Sequence, residues 1–194
     1  MDLDEAVGIA EPHARTAIAL DPENADARAR LAVVHYLSGN PRGAIYEAEQ
    51  GLLIDPNCPE AHALRGVGFL GLGQQAEARR SLQRCVALDP RSPTLAVRIS
   101  QIAEAYYMER DYENAILTAQ ELLSQFPSSP TAYRCLAAGL AQVGRLEQAR
   151  AALTMLIANY PSAVETLVRR HHPGRRIEDR EHFMEGLRKA GWVE

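Results

Sequence analysis

The sequence has no long apolar run, no block of basic residues and few cysteines, and each absence excludes a class of protein. No stretch approaches the roughly 18 apolar residues of a membrane span, so we do not expect the chain to cross a bilayer. The net charge is −4 at pH 7, and Lys and Arg are not clustered, which argues against nucleic acid as the partner. The N-terminus MDLDEAVGIAE is acidic, whereas a secretory signal would start with a basic segment.

Residues that could support catalysis or bind a metal are also scarce. Cys58, Cys85 and Cys135 are an odd number at wide spacing, so we expect reduced thiols in a cytoplasmic protein rather than disulfides or a zinc site. His171 and His172 are adjacent, and a solvated turn is favoured over a metal site there. The sequence contains no GxxxxGK phosphate loop and no GxSxG nucleophile elbow. It therefore predicts a protein that is not an enzyme and that has no cofactor.

What the chain does contain is an internal repeat of 34 residues. The prolines that follow predicted helices are spaced 34, 34, 37 and 34 residues apart, at Pro22, Pro56, Pro90, Pro127 and Pro161. Small residues keep the same spacing in the first helices, at Ala32, Gly66, Ala103 and Ala137, and in the second helices, at Ala44, Ala78, Ala115 and Ala149. The longer interval places three extra residues between Pro90 and Ala103.

The clearest copy runs from Pro59 to Pro90 and predicts two short helices. The first helix is predicted to begin at Pro59, because proline suits the first helical turn. It is predicted to break at Gly71 and Gly73. The second is predicted from about Gln75 to Leu88, ahead of Pro90. Neither helix can bury its apolar stripe alone, so neighbouring copies must pack together.

This spacing resembles the tetratricopeptide repeat, whose unit is a helix–turn–helix. The resemblance implies an all-α fold, a right-handed superhelix (solenoid) of helical hairpins with C-terminal capping helices. The bulky position of the family pattern is filled by His35, Phe69, Tyr106 and Leu140. The sequence departs from the pattern at Arg65, where leucine is usual, and at Arg28 and His62, where an aromatic residue is common.

The repeat divides the chain into a partial unit, four full units and a tail. Residues 1–21 are predicted to be a second helix without its first, kinked or delayed at Pro12. The four full repeats are predicted at residues 24–56, 58–90, 92–127 and 129–161. Because Met1 falls in the middle of a unit, we expect a fragment of a longer protein, although a half-repeat could also serve as a cap.

The tail, residues 162–194, is predicted to form two capping helices joined by a turn at residues 171–176. The first runs from Ser162 to about Arg170, and the apolar stripe of the second includes Ile177, Phe183, Met184 and Leu187. The ending EDREHFMEGLRKAGWVE, together with SPTLAVRISQIAEAYYMERDYENAI, resembles the C-terminal repeat regions of bacterial class III adenylate/guanylate cyclases and of some winged-helix regulators. That resemblance implies a catalytic or DNA-binding domain upstream of Met1.

In the tetratricopeptide family the first helices line the inner surface of the superhelix, which implies a set of partner-binding residues. The family's spacing places there Arg30, Val33, Tyr36, Leu37, Leu64, Val67, Leu70, Gln101, Glu104, Tyr107, Met108, Arg134, Cys135, Ala138 and Gln142. The set is more apolar than a solvated surface, which is typical of a binding surface. We expect a non-catalytic scaffold that binds an amphipathic helix or an apolar peptide, oriented by Arg30, Glu104 and Arg134.

Several alternatives stay open. The tail of the chain could fill the inner surface, or the superhelix could close over it. The chain could be the regulatory region of a multidomain cyclase or transcriptional regulator. The last helix, around Phe183 and Trp192, could also mediate homodimer formation.

Overall fold

The computed structural model describes residues 3–162 and 176–193, and within them the protein is α-helical with no β-strand. The helices are α1 (Leu3–Leu20), α2 (Ala25–Leu37), α3 (Pro41–Ile54), α4 (Pro59–Leu72), α5 (Gln75–Leu88), α6 (Leu95–Met108), α7 (Tyr112–Gln125), α8 (Pro130–Gln142), α9 (Leu146–Asn159) and α10 (Ile177–Lys189). The predicted all-α fold is confirmed. The predicted capping helix that ends near Arg170 and the turn that follows it fall largely on residues outside the described ranges.

Consecutive helices from α2 to α9 pack in pairs as hairpins, and α1 packs against α2. In the clearest copy α4 begins at Pro59 and α5 spans Gln75–Leu88, as the sequence predicts. The break predicted at Gly71 is wrong, because α4 continues through this residue to Leu72. The break predicted at Gly73 is confirmed, because Gly73 is the left-handed C-cap of the helix.

Helix α1 begins at Leu3 and continues through Pro12, so the delayed start predicted at this proline is wrong. Pro12 removes one backbone hydrogen bond, and the carbonyl that loses its donor belongs to Gly8. Both residues are exposed, so water can satisfy that carbonyl at little cost. The hydroxyl of Thr16 donates to the carbonyl of Pro12 at 2.8 Å on the same side.

The three extra residues of the third repeat lie where α5 leads into α6. Residues 89–94 join these two helices, whereas residues 55–58 join α3 to α4 and residues 126–129 join α7 to α8. The rest of the insertion lengthens the start of α6, where Thr94 precedes the helix without a side-chain cap. The insertion therefore changes one connection and leaves the hairpin geometry of α6 and α7 intact.

The turn inside each hairpin places one residue in the left-handed region of backbone space. These residues are Gly39, Gly73, Arg110 and Gly144, with φ of 73°, 74°, 63° and 78°. Their spacing follows the repeat, so the same turn recurs four times in the described residues. Glycine adopts this conformation freely, whereas Arg110 adopts it at a cost of about 1 kcal/mol.

The three departures from the family pattern each have a polar partner. The guanidinium of Arg28 pairs with the buried carboxylate of Glu47 at 2.9 Å. Arg65 donates from Nε to the buried hydroxyl of Ser81 at 3.1 Å. His62 Nε2 lies 3.0 Å from the carbonyl of Pro56. The pairs of Arg28 and Arg65 thus join the two helices of their hairpins, whereas His62 bonds to the connection between α3 and α4.

The described helices fall into two compact units, each with its own apolar core. The first unit contains α1 to α5, with Leu31, Leu70 and Leu82 among its fully buried side chains. The second contains α6 to α10, and its core includes Tyr107 and Phe183. No helix in the described part of the chain is long and apolar enough to cross a membrane.

Candidate functional site

The predicted binding residues of the first unit differ widely in their exposure. Arg30 is exposed, and Val33, Tyr36 and Leu37 are half-buried. By contrast Leu64, Val67 and Leu70 are only 4%, 2% and 1% exposed. A polar substitution at Val67 or Leu70 would therefore disturb the core of the unit before it reported on binding. The accessible part of this surface is centred on α2.

The predicted residues of the second unit are buried or half-buried, and several of them lie against the last helix. Four of them are buried, namely Glu104, Tyr107, Cys135 and Ala138, and four are half-buried, namely Gln101, Met108, Arg134 and Gln142. Helix α10 packs against α8, and its Phe183 and His182 side chains also contact Tyr107 of α6 and Tyr112 of α7. We call the surface formed by Tyr107, Tyr112, Arg134, Ala138 and Gln142 the docking face.

Aromatic contacts hold the centre of α10 on the docking face. The rings of Phe183 and Tyr107 stack with centroids 4.4 Å apart. The guanidinium carbon of Arg134 lies 4.8 Å from the centroid of the Phe183 ring. An offset aromatic stack and a cation over a ring each add about 1 kcal/mol to the burial of the side chain. Phe183 is 2% exposed, so it is the apolar anchor of the helix.

A chain of hydrogen bonds links the docking face to the backbone of α10. Lys189 Nζ donates to Gln142 Oε1 at 2.7 Å, and Gln142 Nε2 donates to the Tyr107 hydroxyl at 3.2 Å. That hydroxyl donates in turn to the carbonyl of His182 at 2.9 Å. The buried hydroxyl of Tyr107 thus both accepts and donates, and burial raises its pKa well above the usual range.

Gly186 makes the approach of Tyr107 to the helix backbone possible. It lies one helical turn after His182, whose carbonyl accepts the hydrogen bond from Tyr107. A methyl group at position 186 would collide with the Tyr107 hydroxyl and would lie 3.0 Å from Cβ of Ala138. Only a residue without a side chain fits here unless the helix moves away.

The charged and titratable groups beneath α10 are paired or protonated, and none of those described below is a reactive nucleophile. Arg134 pairs with the buried carboxylate of Glu104 at 3.6 Å. Burial raises the pKa of the Cys135 thiol to about 11, although the nearby charge of Arg134 lowers it in part. The thiol therefore stays protonated and unreactive at neutral pH. These groups serve to orient and pack the helix.

His182 is the titratable side chain of α10 at the edge of the docking face. Its Nε2 lies 3.2 Å from the Tyr112 hydroxyl, and its ring centroid lies 4.8 Å from that of Tyr107. Burial first, and the charge of Arg110 second, lower the pKa of His182 below its usual 6.5, while Glu185 opposes the shift. The charge of Lys189 also lowers this pKa.

We expect the docking of α10 to weaken as the pH falls below about 6.5. The pKa of His182 is lower in the docked state than in the free helix. The free helix therefore binds more protons in acid, so acid favours release, while docking is at full strength above the unperturbed pKa. Trp192, the single tryptophan, packs against the core of the second unit, so its fluorescence reports docking. Its emission should shift to longer wavelength between about pH 8 and about pH 5.

His182→Gln is the control for this titration, because glutamine is polar but does not titrate in this range. The shift in Trp192 emission should disappear in that variant. His62 also has a lowered pKa, but it belongs to the first unit, whereas α10 docks within the second. An unchanged acid transition in His182→Gln would assign the effect to another group.

The described residues offer little else for chemistry. No group of three or more His, Cys, Asp or Glu side chains among them is placed to hold a metal ion. A cavity of about 580 Å³ lies beside the α7–α8 connection, with Val97 and Phe126 among its lining residues. Its lining contains no titratable side chain, so it has no group that could act as an acid or a base.

The sequence predicted part of the contact between the docking face and α10. Tyr107, Arg134, Ala138 and Gln142 were predicted to contact a partner, and the structure places them against α10 instead. Tyr112, His182 and Gly186 were not predicted. The one available signal was a glycine within the apolar stripe of a helix, which often marks a close approach of another chain segment.

Comparison with known proteins agrees with this architecture. Two tetratricopeptide repeat family models match residues 2–67 and 100–164. DnaJ homolog subfamily C member 7 is 26% identical over 143 residues in the human protein, which is 69% of this chain and 29% of that protein. The mouse protein matches to the same extent. The chain thus spans less than a third of the length of these curated relatives.

Solved structures show the same fold at low sequence identity. PilF of Pseudomonas aeruginosa has a TM-score of 0.73 at 19% identity, covering 94% of this chain and 82% of PilF. YrrB, described as a TPR protein with an unusual peptide-binding site, has a TM-score of 0.65 at 16% identity, covering 91% and 90%. The family models, which together match more than half of the sequence, agree with the repeated hairpins and the similar structures. This chain belongs to the tetratricopeptide repeat family.

Proposed function

We propose that the chain is a non-catalytic scaffold that binds a helix or a peptide of another protein on the first helices of its repeats. The observation that carries the proposal is the seating of α10 in the second unit. There α6 and α8 hold an amphipathic helix by an aromatic anchor, a cation over its ring and hydrogen bonds to its backbone. This is the helix-in-groove mode of recognition.

The equivalent surface of the first unit has suitable chemistry for the same task. Arg30 is exposed and can offer a charge, and Val33, Tyr36 and Leu37 are half-buried and offer apolar area. Tyrosine and arginine are enriched at binding hot spots because they combine large contact area with directed hydrogen bonds. The peptide-binding site named for YrrB supports a peptide as one form of partner.

The remaining features support an interaction module in a reducing compartment. Cys58, Cys85 and Cys135 are buried thiols that take part in no disulfide, which suits a cytoplasmic location. The buried thiols and the Arg134–Glu104 pair contribute to packing, in keeping with a scaffold rather than an enzyme. The regulatory role in a larger cyclase or transcriptional regulator stays a prediction, because no relative named above is either of these.

Homodimer formation through Phe183 would require a rearrangement. Phe183, which was predicted at this contact together with Trp192, is already buried against Tyr107 of its own chain. A dimer through Phe183 would therefore need two copies to exchange α10. The intramolecular contact makes the scaffold the favoured function.

A library of helical peptides displayed on phage and selected against the full chain tests the proposal. Selected peptides should lose about tenfold or more in affinity when Arg30→Glu and Tyr36→Ala are combined, because both side chains lie on the proposed surface. The matched control combines Tyr46→Ala and Leu53→Ala, which are 58% and 77% exposed on α3, the second helix of the same hairpin. Peptides that respond only to the control pair would contradict the proposal.

A further inference from the structure

We infer that the docking face is a binding surface for a partner helix with the pattern Phe-x-x-Gly-Leu, and that α10 occupies it as an intramolecular ligand. The inference rests on the proposed function and adds the chemistry of the ligand and its regulation. In α10 the pattern is Phe183, Gly186 and Leu187. These three residues supply the anchor, the gap and the second apolar contact, and Phe183 and Leu187 are 2% and 1% exposed.

The docking face recognises α10 through one backbone carbonyl and through side chains at a few defined positions. Tyr107 donates to a backbone carbonyl of α10, not to a side chain. Reaching that carbonyl requires a glycine one turn later, as Gly186 provides. Arg134 and the Tyr107 ring select an aromatic residue three positions before the glycine. Gln142 accepts from a cation near the helix C-terminus, the role of Lys189.

Helix α10 is suited to leave the docking face. It spans only Ile177–Lys189, and isolated helices of this length are marginal in water. Its N-cap, Arg176, makes no side-chain capping hydrogen bond. Its outward side is charged, with Glu178, Glu181 and Arg188 exposed, so the released segment stays solvated. Its helical order therefore depends on the docking face, and a partner helix can replace it there.

A peptide with the sequence of residues 176–193 is the probe, and the full chain is the target. In the wild-type chain α10 competes with the peptide at the high effective concentration of a tethered ligand. Gly186→Val in the chain removes this competitor, because the valine side chain would collide with Tyr107 and Ala138. The labelled peptide should bind the Gly186→Val chain about tenfold or more tighter than the wild-type chain. A peptide that itself carries Gly186→Val should bind neither.

A second measurement uses only the wild-type chain and so does not depend on the folding of a variant. The peptide is made with Trp192→Phe, so that all tryptophan fluorescence comes from the chain. Its addition should shift the emission of Trp192 in a saturable way as α10 is displaced, and the Gly186→Val peptide should not do so.

Three outcomes would overturn the inference. Equal affinity of the peptide for the two chains would mean that α10 does not compete for the docking face. No displacement in the wild-type chain at saturating peptide would mean that α10 is a permanent part of the core. A wild-type dimer that becomes a monomer in Phe183→Ala, measured by light scattering, would identify a second copy as the occupant. Each of these can occur while the first unit still binds its selected peptides, so the two proposals fail separately.

Discussion

Replacing Gly66 with valine is expected to lower the free energy of unfolding of the first unit by about 3 kcal/mol. A Cβ atom at position 66 would lie 2.7 Å from Cγ of Leu82 and 3.1 Å from the carbonyl oxygen of Ala78. Leu82 is fully buried, and the Ala78 carbonyl belongs to the backbone of α5, so neither can retreat. Denaturant unfolding followed by far-ultraviolet circular dichroism measures the loss.

Gly8→Val is the matched control for this substitution. Gly8 lies within α1, and a Cβ atom there would meet nothing within 4 Å. The same change should therefore alter stability by less than about 0.5 kcal/mol. A loss at Gly8 as large as that at Gly66 would mean that the crossing of α4 and α5 is not what makes valine destabilising, because valine has a higher helix propensity than glycine.

The first repeat suggests a double substitution that should partly restore the packing of α4 on α5. In the first hairpin the positions equivalent to Gly66 and Leu82 are both alanine, at Ala32 and Ala48, and both are fully buried. Gly66→Ala combined with Leu82→Ala recreates that pair. Its loss of stability should be smaller than the sum of the two single losses, because the added methyl group occupies part of the space that the removed isopropyl group leaves. Strict additivity would contradict the steric explanation.

Replacing Phe183 with alanine is expected to release α10 from the docking face. The change removes a buried ring that stacks on Tyr107 and lies under Arg134, a loss of about 3 to 5 kcal/mol for a core phenylalanine. A helix of this length has little intrinsic stability to offset such a loss. The emission of Trp192 should shift to longer wavelength, and the amides of α10 should exchange as fast as those of an unfolded peptide.

Ile177→Ala tests whether the effect depends on the docking face. Ile177 begins the same helix, and 63% of it is exposed. The Trp192 emission and the α10 protection of this variant should equal those of the wild type. If α10 in Phe183→Ala stayed as protected as in the wild type, the aromatic contacts would not be what holds it.

The helices could be predicted from the sequence because local rules determine them. Proline at position 59 and the spacing of small residues such as Gly66 depend on steric fit within one hairpin, and each copy repeats them. The delayed start at Pro12 was wrong because its cost depends on exposure, which the sequence does not show. The all-α fold followed from the many positions that agreed.

The surface against which α10 packs could not be predicted in the same way. Its apolar stripe was correct for Phe183, Met184 and Leu187, which are buried, but not for Ile177, which is exposed. Amphipathic spacing shows that a helix has an apolar side, and it does not show which surface covers that side. Tyr107 contacts α10 across a large separation in sequence, and nothing local to either residue encodes that pairing.

The turn between α6 and α7 has a consequence for charge at the rim of the docking face. The first, second and fourth hairpins have glycine at the left-handed position, whereas the third has Arg110 at φ 63°. The guanidinium of Arg110 acts on His182 electrostatically, which no glycine could do. The third hairpin therefore tolerates a strained backbone and gains a fixed positive potential, which repels a protonated imidazole. The positive charge of this turn and the protonation of His182 therefore oppose one another while α10 is docked.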